Sequence, residues 1–185
     1  MRAMTAMTAG DVWDTPLKQV GMGQLSVGAH DDQLQALLGS CIGIGFLWKK
    51  GGRCGLAHCL LPESPRLDGS LGARYVNQAV PSLLRLMGVR VADYPDIEVV
   101  LAGGASMFGA RNTRLQVGRQ NVEAAQKYLE RCGLNVSFCA LGGQHGRQLL
   151  IDCADHSYAV TEVASSGQRP GRAVNPYAGA VHGHA

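Results

Sequence analysis

Among the six cysteines and six histidines of this chain, one pair stands at a spacing that could do chemistry. Cys41 follows Gly39 and Ser40 directly, inside the apolar run "LLGSCIGIGFLW" from Leu37 to Trp48. His58 stands 17 positions later, in "GLAHCLLPES". A free thiol is only slightly ionised at neutral pH, yet the thiolate is the nucleophile. A neighbouring imidazole can take the thiol proton and later hand it to a departing amine. The plainer alternative is packing, because cysteine behaves as a small apolar residue and is often buried. Spacing alone leaves both readings open.

The surrounding elements decide whether the two side chains can meet. Cys41 to Trp48 reads as a strand, "KKGGR" as a turn, and Cys54 to Leu61 as the returning strand, stopped by Pro62. A short loop between adjacent strands makes them antiparallel partners. Cys41 and His58 then lie on paired strands, near the end far from the turn. Upstream, Lys18 to Ala29 reads as a short strand with turns, and Leu34 to Leu38 as another strand. Downstream, Ala73 to Met87 has helical spacing, with Val76, Val80, Leu83, Leu84 and Met87 on one face. Pro81 lies inside it and Gly88 is a plausible stop. Ile97 to Ala102 reads as a buried strand ending in "GGASMF". Gln120 to Cys132 is a second helix, striped by Val122, Ala125, Leu129 and Cys132 and ended by Gly133. Leu134 to Ala140 is a strand. After "GGQHGR", Gln148 to Cys153 and Tyr158 to Val163 read as a closing hairpin. Strands and helices that group rather than alternate predict an α+β fold: mainly antiparallel β-sheets with two packed α-helices, a layered sandwich.

Bulk properties narrow the class. A chain of 185 residues that is 46% hydrophobic and 17% charged can bury a core without staples. Residues 1–15 read as a flexible arm, 16–163 as one domain, and 164–185, rich in Gly, Pro and Ser, as a disordered tail. A net charge of +3 with scattered basic residues gives no footprint for nucleic acid. No stretch reads as a signal peptide or a membrane helix, so a cytoplasmic protein with reduced thiols is expected.

The residues around the pair carry more than a spacing. "LLGSCIGIGFL" followed by "GLAHCLLPES" resembles the signature of the CheD family of chemoreceptor glutamine deamidases. The resemblance continues in order through "RYVNQAV", "LAGGASMF", "VGRQNVEAAQKYL" and "ALGGQHGRQLLID", covering roughly residues 18–163. It implies that Cys41 is the nucleophile and His58 its base. It implies an enzyme converting glutamine side chains of methyl-accepting chemotaxis receptors to glutamate through a thioester, with no cofactor. It also implies a possible CheC-type phosphatase as regulator and a possible methylesterase side activity. One position departs: the family's threonine six residues before the nucleophile, which completes a triad by orienting the histidine, is Gln35 here. A glutamine oxygen can accept from an imidazole N–H, so the role could survive.

Other residues have weaker claims. Gly39 and Ser40 beside the thiol are expected near substrate, with backbone amides there as oxyanion donors. Gly103, Gly104 and Ser106 could line the substrate approach, although a tight turn is the commoner use of such glycines. Asn121 precedes a helical stripe and reads as a cap. Arg119 reads as surface charge. Cys54, His58 and Cys59 have no shared face for a metal, because neighbours on a strand point oppositely. Two further readings stay open: another cysteine amidase or peptidase, and a chemotaxis binding module with little or no catalysis.

Overall fold

The computed structural model describes residues 17–66, 68–106 and 116–163. The expected arm and tail lie outside the described residues. In chain order the elements are β1 (Leu17–Gln19), β2 (Leu25–Ala29), β3 (Gln33–Leu38), β4 (Ile42–Trp48), β5 (Arg53–Cys59), α1 (Val76–Met87), a 3-10 helix (Val91–Asp96), β6 (Glu98–Gly103), α2 (Val117–Arg131), β7 (Val136–Leu141), β8 (Gly146–Asp152) and β9 (Ser157–Val163).

The strands form two sheets. One has the order β1-β3-β8-β9 and the other β2-β5-β4-β6-β7. All neighbours are antiparallel except β1 with β3 and β6 with β7. The β6–α2–β7 segment is a crossover, the connection that a parallel pair requires. The expected layered α+β architecture is what the chain adopts. Helices α1 and α2 cover one face of the five-stranded sheet, and the four-stranded sheet covers the other.

Two cores hold these layers together. Ile42, Ile44 and Phe46 of β4 join Val80, Leu83, Ala125 and Leu129 in the helix-side core. Leu47, Leu34, Leu38, Leu149 and Ile151 fill the seam between the sheets. Strand β4 is therefore apolar on both faces, while β3 alternates. Leu34, Ala36 and Leu38 point into the seam, and Gln33, Gln35 and Leu37 point outward.

Helix α1 is shorter at its start than the periodicity predicts, beginning at Val76 after an extended Tyr75. It runs through Pro81, and the expected apolar face is buried. Gly88 ends it at φ 71°. Helix α2 begins three residues earlier than expected, at Val117. Gly133 terminates it, with Gly133 N–H donating to Glu130 and Leu134 N–H to Leu129. The segment read as one short strand with turns is two strands in separate sheets. A turn at Gly21–Gln24, closed by the Gln24 N–H to Gly21 carbonyl bond, sends the chain from one sheet to the other.

Candidate active site

The loop Gly39–Cys41 is the crossing point between the sheets. It leaves β3 in the four-stranded sheet and enters β4 in the five-stranded one. Cys41 thus sits at the seam, 6% exposed, within the inter-sheet core. Its backbone is anchored on all three carbonyls. Gly39 accepts from the Ala105 N–H at 2.9 Å, and Cys41 from the Gly104 N–H at 2.8 Å. Ser40 accepts from the Asn121 side-chain amide at 3.1 Å.

His58 reaches the same seam from β5. In the β4–β5 ladder Gly43 is paired with His58 and Ile42 with Cys59. Directly paired residues share a face, so His58 lies on the face of Gly43, and Cys41 packs in the core on that same side. A Cβ on Gly43 would stand 2.7 Å from Leu38 Cδ1, which fixes that face as the inter-sheet one. Cys41 and His58 are therefore diagonal neighbours across two strands, a separation long side chains can bridge. Cys59 points the other way, into the helix-side core, so His58 and Cys59 present no common ligand face.

The imidazole is held from behind. His58 Nδ1 lies 3.0 Å from the Val20 carbonyl oxygen. A carbonyl only accepts, so Nδ1 carries the hydrogen and the neutral ring leaves Nε2 as a free lone pair. Nε2 is buried without a hydrogen-bond partner among the described residues. The histidine backbone is fixed as well, its N–H donating to Gln24 and its carbonyl accepting from Gly23. Burial lowers the His58 pKa below its ordinary value, against a smaller opposing effect of the Val20 bond. Burial raises the Cys41 pKa, partly opposed by the residue's own backbone N–H. Both groups are thus neutral at pH 7, a thiol and an imidazole with an open nitrogen.

The side chain of Gln35 does not join this pair. It lies on the outward face of β3, and its Oε1 accepts from Gln148 Nε2 at 3.1 Å. The triad role expected from its place in the family pattern is corrected accordingly: the partner of the imidazole is the Val20 main chain. Gln35 contributes only its own carbonyl, which accepts the Val20 N–H at 2.7 Å.

Gly103 and Gly104 bring the end of β6 against the thiol loop. A Cβ on Gly103 would collide with the Cys41 carbonyl oxygen, and Gly103 has φ 108°. Glycine there lets the "GGA" segment reach the thiol loop and present its N–H groups. The Gly104 and Ala105 N–H groups donate to the Cys41 and Gly39 carbonyls. Ser106 is exposed, with its N–H bonded to the Gly143 carbonyl at 2.8 Å. Arg119 is a surface residue, paired with Glu123.

Asn121 is the residue the sequence undervalues. It is fully buried on α2 rather than capping it, and its Nδ2 donates to both the Ser40 and Leu60 carbonyls at 3.1 Å. A cap and a buried clamp share the same residue type, so composition carries no signal that separates them. Its place, four residues into α2, becomes visible only once the helix start is moved back to Val117.

Fold and site together define a layered α+β protein with a cysteine and a histidine on one wall of the seam between its sheets. Residues 60–162 match the family model described as CheD chemotactic sensory transduction. A Methanococcus maripaludis protein named as a probable chemoreceptor glutamine deamidase CheD is 37% identical over 77% of this chain and 92% of its own length. A Bdellovibrio bacteriovorus protein of the same name is 34% identical over 78% of this chain and 93% of its own length. The chain belongs to the CheD family. A DUF152 protein of Neisseria meningitidis superposes with a TM-score of 0.41 at 12% identity, covering 70% of this chain and 63% of that one. No helix among the described residues is long and apolar enough to cross a membrane, and all six cysteines are free.

Proposed function

We propose that this chain is a protein-glutamine deamidase acting on methyl-accepting chemotaxis receptors, with Cys41 as nucleophile and His58 as general base and acid. The observation that carries the reading is the free, buried Nε2 of His58 on the same sheet face as the Cys41 thiol. The names of the relatives supply the substrate class.

The reaction follows from the two neutral groups. Nε2 takes the Sγ proton as sulfur attacks the carboxamide carbon of a receptor glutamine. The carbonyl oxygen becomes an oxyanion, and on this reading backbone N–H groups of the Gly39–Cys41 loop receive it. The imidazolium returns the proton to the nitrogen, the C–N bond breaks, and ammonia leaves a thioester. Water then attacks the thioester with Nε2 taking its proton. The C–S bond breaks, the thiol is reprotonated, and the side chain leaves as glutamate. Docking of a CheC-type phosphatase as regulator belongs to the same proposal.

Incubation with a receptor cytoplasmic fragment tests it. The expected result is a gain of about 1 Da per converted glutamine, NH2 replaced by OH. Cys41→Ala and His58→Ala should both abolish the gain. Conversion that survives Cys41→Ala refutes the assignment. Tight receptor binding with no conversion by the native chain would favour a binding module instead.

A further inference from the structure

Asn121 spends a whole side chain on two main-chain oxygens of the site. It is fully buried, and its Oδ1 has no hydrogen-bond partner among the described residues. An amide oxygen buried without a protein partner is a cost that a leucine there would avoid. What asparagine supplies in return is one NH2 group with two hydrogens, and both are used. One goes to the Ser40 carbonyl and the other to the Leu60 carbonyl. Both carbonyls lie just beyond Ile42 and Cys59, the last pair of the β4–β5 ladder, one on each strand's continuation. Asn121 therefore closes the ladder at the end where the thiol sits.

The Ser40 bond has a directional consequence. A trans peptide is planar, with its N–H pointing opposite to its carbonyl. Fixing the Ser40 carbonyl toward α2 fixes the next N–H, that of Cys41, away from α2. The flanking peptides are anchored by the Gly104 and Ala105 N–H groups, which are main chain and come with the fold. The peptide between Ser40 and Cys41 is the one of the three that depends on a side chain. We infer that Asn121 is a positioning residue for the oxyanion hole, its amide setting the Ser40–Cys41 peptide plane so that the Cys41 N–H meets the tetrahedral oxygen. This rests on the deamidase reading for its substrate, but not for its geometry.

The test separates oxyanion stabilisation from thiol reactivity. Asn121→Ala and Asn121→Ser are compared with the native chain in three assays. Loss of one oxyanion donor lowers kcat by about 10²–10³-fold, and KM for the receptor fragment should stay put. Affinity for a peptide carrying glutamate semialdehyde, whose hemithioacetal presents the same oxygen, should fall in step with kcat. Alkylation of Cys41 by iodoacetamide forms no oxyanion and should stay within about twofold. Alkylation falling together with the other two readouts, or an unchanged kcat, overturns the inference. If both variants fail to fold, the native chain still decides. The Cys41 amide proton should shift downfield on aldehyde binding in a 15N-resolved spectrum, and an unmoved resonance overturns the role. A native chain that binds the aldehyde with this shift yet leaves receptor glutamines intact would refute the receptor reading and support the positioning of the N–H.

Discussion

Gly118→Ala sets two magnitudes against each other at the point where α2 meets the site. In a helix, alanine is favoured over glycine by about 1 kcal/mol, so propensity alone makes the change stabilising. Geometry says otherwise. A Cβ at Gly118 would stand 2.6 Å from the Gly104 carbonyl oxygen and 2.9 Å from that of Ala105. Both obstacles are backbone, so neither can rotate away, and α2 must retreat from the "GGA" segment by about 0.8 Å to restore ordinary contact. Overpacking of this kind costs about 1–3 kcal/mol, which outweighs the propensity gain. The retreat also acts on the site. Gly104 and Ala105 hold two carbonyls of the thiol loop, and Asn121, on the departing helix, holds the third. A misplacement near 1 Å lowers turnover by about 10²-fold. We therefore expect a lower Tm and a kcat down by roughly one to two orders of magnitude, read by thermal melting and receptor deamidation on the same sample. Gly133→Ala is the control. It has φ 70° with nothing within 4 Å of its added carbon, so it should lose about 1–2 kcal/mol to left-handed strain without loss of turnover. Native turnover in Gly118→Ala, or an equal loss in Gly133→Ala, would refute the coupling of helix position to the thiol loop.

Gln35→Ala should leave deamidation unchanged, because its side chain bonds only Gln148 on the outer face; a loss as large as that of His58→Ala would restore the triad reading. With His58 held below its ordinary pKa of 6.5, the unfolded chain takes up the proton first as pH falls. The neutral imidazole's contribution to stability is therefore full above pH 6.5 and declines below it, and the acid limb of kcat/KM should lie below pH 6.5, read from a pH–rate profile and melts. The Cys41 thiol lies above its ordinary 9.0, so iodoacetamide labelling should still be rising at pH 9, and a plateau by pH 7 would reveal a preformed thiolate. Leu38→Ala empties a seam position that is 1% exposed, and urea unfolding should register a loss of about 2–5 kcal/mol.

What could be read from residue types and what could not divide along a physical line. The β4–β5 hairpin was legible because "KKGGR" is turn chemistry between two apolar runs, and the turn places Trp48 opposite Arg53. That register brings His58 to the face of Cys41. Both helices were legible from their buried stripes, with starts off by three residues where no side-chain cap marks them. The triad reading of Gln35 rested on its place in the family pattern alone, and the inter-sheet loop between it and Cys41 hid that its side chain takes the outer face. Val20 left no signal at all. Its contribution is a carbonyl, which every residue type carries, delivered by a segment 38 positions from His58. The same holds for Gly104 and Ala105, whose N–H groups hold the thiol loop.

The crossing of the chain between the sheets accounts for both the shielding of the pair and its resting state. A residue placed within a strand of one sheet could be covered by a helix or a loop. A residue at the crossing is enclosed by both sheets, and Cys41 is buried for that reason. Burial then pushes thiol and imidazole toward their neutral forms from opposite sides. A neutral pair has no standing thiolate to react with passing electrophiles, so on the proposed reaction the charge appears only when a carboxamide is present to share it. That shifts the demand from activating the nucleophile to receiving the oxyanion. The anchoring fits that demand: the three carbonyls of the thiol loop are each tied by an N–H donor, and each tie orients the N–H that follows it.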